Sequence, residues 1–210
     1  MKKVDLTQFD PIKVGRLDSD MWRSYYNHQF HKLFWQLCRL LKTQLGLSWP
    51  VTLRLAYYSA WAAADYRLRK RKGVNNDRVL SNLTKFYGLI SRRSTTTFDC
   101  KKAAELELKW WDVHRKSTHN NEALERSLAE GAAVIYGVPP AKLSHYAHCR
   151  AEAMILPRHE GDAQVVPTDW QKVTELLEEA WGSLHAAVKK ANKGRTRRVS
   201  RGLEVRPRTE

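Results

Sequence analysis

The sequence predicts an all-α protein, a single multi-helix bundle of about seven helices with a disordered basic tail at its C-terminal end. Three observations carry that prediction. Apolar residues recur at three- and four-residue spacing through successive segments, helix start and stop signals bound those segments, and no stretch pairs the period-2 alternation of strands with a hairpin turn.

Residues 1–18 read as an irregular lead-in containing Pro11 and Gly15. A first helix is expected from about Asp20 to Leu45, with Trp22, Tyr26, Phe30, Leu33, Leu37 and Leu41 on one stripe and Gly46 as its stop. Ser48-Trp49-Pro50 is a start signal for a second helix, because a serine can accept from free N–H groups and proline lacks one. That helix is expected to run to about Lys72, with Gly73 as its C-cap.

Asn75-Asn76-Asp77 caps a third helix carrying Val79, Leu83, Phe86 and Ile90 on one face, and Ser91 to Thr97 reads as a loop. Asp99 caps a fourth helix over about 100–116, and a fifth runs over about 121–136 before Gly137. Pro139-Pro140 opens a sixth that ends before Pro157, and Thr168-Asp-Trp-Gln171 is a capping-box pattern for the last. Beyond Asn192 the apolar pattern stops, which places a folded domain over 19–190 and a disordered tail over 191–210.

With 210 residues, 42% of them hydrophobic, the chain can bury a sizeable core without disulfides or a structural metal. Cys38, Cys100 and Cys149 are isolated and form no CxxC pair, which argues against a zinc ribbon or thioredoxin-like site and points to a reducing, cytoplasmic setting. No secretory leader is visible after Met1-Lys-Lys, and the least polar stretch, Ala56 to Ala64, is too short to span a bilayer.

The formal net charge is +15. Residues 189–210 hold nine Lys/Arg against Glu204 and Glu210, so +7 of it sits in the tail. A second cluster, Arg67, Arg69, Lys70, Arg71 and Lys72, ends the second helix. Such runs attract polyanions through counterion release, and Arg195, Arg197, Arg198 and Arg201 are the tail's candidates for the same work.

Polar residues interrupt two apolar faces. On the fourth helix Glu107 and His114 fall among Ala103, Ala104, Trp110 and Trp111, and on the sixth Arg150 falls among Leu143, Ala147 and Met154. A buried charge costs several kcal/mol unless paired, so Glu107 and Arg150 are expected to face each other with His114 nearby. They are either a structural network or a catalytic set in which Arg150 binds an anion and Glu107 or His114 moves a proton. His28 and His31, at HxxH spacing, are candidate metal ligands, and His145 and His148 repeat that spacing on a polar face. Of the aromatics, Trp49, Tyr58 and Tyr66 are expected to be exposed, with most others in the core.

Nucleophile-elbow, P-loop, dinucleotide-binding, helix-turn-helix and RNA-recognition signatures are all absent. The sequence therefore favours a non-enzymatic helical module that engages a polyanion, nucleic acid first among them. The alternative is a helical-bundle enzyme or small-ligand or metal-binding protein with the internal Glu/His/Arg site. Anionic lipid is a third partner class. No particular cofactor or oligomeric state is indicated.

Overall fold

Asp10 begins the first helix by accepting hydrogen bonds on its carboxylate from the Ile12 and Lys13 N–H groups, with Pro11 in the first turn. The computed structural model describes residues 3–72, 76–116, 121–157 and 169–203. Among the described residues there are eight α-helices and no strand: α1 Pro11–Tyr26, α2 Phe30–Leu45, α3 Trp49–Lys72, α4 Asn76–Arg93, α5 Cys100–Lys116, α6 Asn121–Tyr136, α7 Ser144–Ile155 and α8 Trp170–Leu203. A 3-10 turn, Pro140–Leu143, leads into α7.

The all-α bundle expected from the sequence is present, with one more helix. The expected Asp20–Leu45 helix is two, because the chain turns at Asn27-His28-Gln29, where His28 takes a left-handed φ of 57°. Residues 11–18 belong to α1 and not to an irregular lead-in. Of the described part of that lead-in, residues 3–10 are non-helical, and they are pinned: Val4 exchanges backbone hydrogen bonds with Arg93 and Thr95 while Leu6 and Phe9 are buried.

Gly46 and Gly137 sit at φ 63° and 62° just after α2 and α6, as the stop signals require. Asp99 accepts from the Lys101 and Lys102 N–H groups at the start of α5. At α8 Asp169 accepts from Lys172 N and the Gln171 amide donates to Glu175, while the Thr168 half of the expected capping box lies outside the described residues. The backbone of α8 stays helical to Leu203, so the loss of the apolar stripe near Asn192 does not end the helix. Gly73, Asn75, Thr168 and 204–210 lie outside the described residues.

Each helix packs mainly on its sequence neighbours, and α8 returns to pack against α1 and α7, which closes the order into a ring. The closest approach is at Gly15, where a Cβ would lie 2.6 Å from the Cα of Glu178 on α8. Leu55, Leu83, Leu124, Leu143, Met154, Leu177 and Leu184 fill the interior as fully buried side chains. Among the described residues, no helix is long and apolar enough to cross a membrane.

Candidate functional site

Glu107 and Arg150 belong to two separate hydrogen-bonded groups in the interior. Glu107 on α5 accepts from three donors: Tyr87 Oη of α4 at 2.9 Å, Trp110 Nε1 at 2.7 Å and Trp111 Nε1 at 3.0 Å. Arg150 on α7 pairs with Asp18 of α1 at 2.5 Å, and Trp181 Nε1 of α8 donates to the same Asp18 oxygen at 2.9 Å. The Arg150 guanidinium also lies 5.3 Å from the centre of the Trp181 ring.

Among the described residues, then, Arg150 takes Asp18 as its ion-pair partner and Glu107 forms no ion pair. The expectation that Glu107 and Arg150 face each other as partners is replaced by two separate groups that sense each other through space. Burial raises the Glu107 carboxyl above its ordinary range, opposed by the Trp110 and Tyr87 hydrogen bonds and by the nearby Arg150 charge. Burial works against the Arg150 charge, but Asp18 and the other acidic neighbours outweigh it and hold the guanidinium protonated.

His114 places Nε2 3.3 Å from the Met154 carbonyl oxygen of α7, so that nitrogen carries the proton, and its ring lies against Trp22 and Trp110. Buried tyrosines complete the interior. Tyr87, Tyr136 and Tyr146 all have hydroxyls pushed upward by burial, and Tyr136 Oη accepts from Gln44 at 3.1 Å. Asp18 is fully buried, and among the described residues its Oδ1 has no hydrogen-bond partner.

The expected metal pair is placed differently. His28 forms the turn between α1 and α2 and His31 opens α2, both exposed, and among the described residues they join no cluster of three metal-ligating side chains. Of the basic cluster on α3, Arg67 is exposed and stacks over the Phe30 ring at 5.4 Å. The side chains of Arg69, Lys70, Arg71 and Lys72, and of Arg195, Arg197, Arg198 and Arg201, lie outside the described residues, although their backbone belongs to α3 and α8.

A surface feature that the sequence reading missed lies on the α2–α3 hairpin. Trp49, Leu53, Tyr57 and Trp61 of α3 are exposed at four-residue spacing, which turns a helix by only about 40° per step and keeps them on one face. Leu68 continues that face, and Phe30 and Trp35 of α2 are exposed as well. Trp35 is 58% accessible and Tyr57 53%. The two ends of the hairpin carry matched contacts: Lys42 lies 5.2 Å from the Trp49 ring centre, and Arg67 lies over Phe30.

Tyr58 is half-buried and Tyr66 is buried, so of the three aromatics expected at the surface only Trp49 is exposed. From Met21 to Ala64 the chain contains no Asp or Glu, while it holds Arg23, Lys32, Arg39, Lys42 and Arg54. The face therefore combines rings and cations without a carboxylate from its own helices before Asp65, which is itself buried against Arg78 and Asn82. Comparison with known protein families, with curated proteins and with solved structures gives no match.

Proposed function

We propose that this protein is a non-enzymatic helical module that binds single-stranded nucleic acid on the exposed face of the α2–α3 hairpin. The observation that carries the reading is the exposed row Trp49, Tyr57 and Trp61 on α3, with Trp35 and Phe30 also exposed on α2, in a stretch without acidic residues. Stacking on aromatic side chains needs no base identity, and lysines and arginines neutralise the backbone, which is how non-specific single-strand binders work.

A second copy fits the face less well, because it would set Lys32, Arg39, Arg54 and Arg67 against one another without a compensating carboxylate. The basic run Arg67–Lys72 and the cations of α8 would add salt-dependent affinity without sequence reading.

Fluorescence anisotropy with a labelled oligouridylate tests this. Binding should weaken linearly with the logarithm of salt concentration. Tyr57→Ala and Trp61→Ala should each lower affinity about tenfold, the size of one lost base stack. Oligonucleotide binding that ignores both substitutions, or flotation with phosphatidylserine vesicles in its place, overturns the proposal.

A second reading keeps Glu107, His114 and Arg150 as a catalytic or small-ligand set. Its support is the unpartnered Oδ1 of the fully buried Asp18, an acceptor that a bound hydroxyl or amine could satisfy. Native mass spectrometry of the purified protein tests it. A co-purifying small molecule that Asp18→Asn removes supports an interior site, and its absence leaves these groups as a packing network.

A further inference from the structure

Where α7 crosses α8, the surface changes character. His145 and Cys149 lie one helical turn apart on α7 and meet Glu179 of α8, and their donor atoms all lie within 4.8 Å of one another. His145 Nε2 is 2.8 Å from Glu179 Oε1 and 3.8 Å from Cys149 Sγ. Bonds of about 2.0 Å to nitrogen and oxygen and 2.3 Å to sulfur in a tetrahedron put such donors roughly 3.2–3.7 Å apart. The His145–Cys149 separation is close to that spacing, and a Glu179 oxygen lies within 4.8 Å of both.

We propose that His145, Cys149 and Glu179 form a binding site for a borderline-soft divalent cation of the zinc type. This proposal is independent of the nucleic-acid reading. Thiolate, imidazole and carboxylate together select such an ion over magnesium or calcium, which take oxygen ligands. On binding, the Cys149 thiol releases its proton to solvent and its sulfur bonds the metal. At His145 the Nε2 proton that bonds Glu179 exchanges through solvent to Nδ1, and the freed Nε2 lone pair and one Glu179 oxygen complete the protein ligands, replacing their mutual hydrogen bond with two metal bonds.

The surroundings suit a cation. In a chain of net charge +15, this corner gathers Glu125 and Glu152, which flank His148 at 2.9 and 3.5 Å, as well as Glu179. Cys149 is almost fully buried while the side chains of His145 and Glu179 are 58% and 56% accessible. The sulfur would close the inner side of the site, and the fourth position would face water.

Cobalt(II) titration of the full-length protein tests the site. The expected result is a near-ultraviolet sulfur-to-cobalt charge-transfer band with tetrahedral visible absorption, saturating at one equivalent and displaced by zinc. Cys149→Ser should abolish the charge-transfer band and Cys100→Ser should leave it. His145→Asn and Glu179→Gln alter exposed side chains, so they test the site even where Cys149→Ser fails to fold, and each should weaken cobalt binding at least tenfold. No charge-transfer band in the wild-type protein, a band that survives Cys149→Ser, or affinity unchanged by both exposed variants overturns the proposal.

Discussion

Arg150 on α7 is bound to Asp18 on α1, 132 positions earlier in the chain, and Trp181 on α8 donates to the same carboxylate oxygen. One buried carboxylate thus ties together three helices, including the last one as it returns to the first. Glu107 and Arg150 belong to two such ties, one centred on Asp18 and one on Glu107, and not to a single charged pair.

Breaking the first tie on one side should be costly. Arg150→Met leaves Asp18 as a buried charge without its partner, an effect of about 3–5 kcal/mol. The double variant Asp18→Leu/Arg150→Met should be more stable than Arg150→Met alone in urea unfolding, because the stranded charge is gone. A double variant that is weaker still would contradict the pairing.

The contact between α1 and α8 depends on the absence of a side chain at Gly15. A Cβ there meets Glu178 Cα at 2.6 Å and Glu178 N at 2.7 Å, which are backbone atoms of α8 and cannot rotate away. Gly15→Ala should destabilise the protein by roughly 1–3 kcal/mol, the usual cost of overpacking. A shift of the urea midpoint is the readout, and an unchanged midpoint would mean that the helices do not approach this closely.

Glu107 should leave a signature in the pH dependence of stability. Its folded-state pKa lies above the ordinary 4.5, mainly through burial, so the folded protein holds this proton more tightly than the unfolded chain. That contribution is fully present below 4.5 and is lost as pH rises through the raised folded value. Wild type should therefore lose stability relative to Glu107→Gln across that window. A stability difference independent of pH would contradict the assignment.

His185 works in the opposite direction on the N-terminal segment. Its ring packs on Phe9 at 4.9 Å, and burial, with help from Lys189, lowers its pKa below 6.5. Stability from the neutral ring is present above 6.5 and is lost as pH falls through the lowered value. Amide protection factors at Leu6 to Phe9, referenced to the slower intrinsic exchange in acid, should fall on acidification in wild type and much less in His185→Phe. An equal fall in both would place the cause elsewhere.

Much of this fold was legible in the chain. Ser48-Trp49-Pro50 and Asp99 mark the starts of α3 and α5, and Gly46 and Gly137 follow the ends of α2 and α6. These signals are local, so the sequence states them. The break between α1 and α2 was hidden because the stripe from Trp22 to Leu41 continues in phase across Asn27–Gln29, and the left-handed turn falls on His28 and not on a glycine.

The candidate sites were legible only in part. Glu107 and Arg150 announced themselves as charges among apolar neighbours, but Asp18 could not, since its burial depends on α8 packing back from 163 positions away. The row on α3 was obscured for a related reason. That helix is apolar on nearly every side, and which side stays open is decided by the neighbours that pack around it. His145 and Cys149 carried a readable four-residue spacing, but Glu179 joins them only through the α7–α8 contact.

Photocrosslinking tests most directly the proposed nucleic-acid face on the α2–α3 hairpin. A 4-thiouridine oligonucleotide irradiated with the full-length protein, followed by peptide mapping, should label the stretch from Phe30 to Leu68, with adducts at Trp35, Tyr57 or Trp61. Adducts confined to α8, or none at concentrations where anisotropy reports binding, would contradict the account.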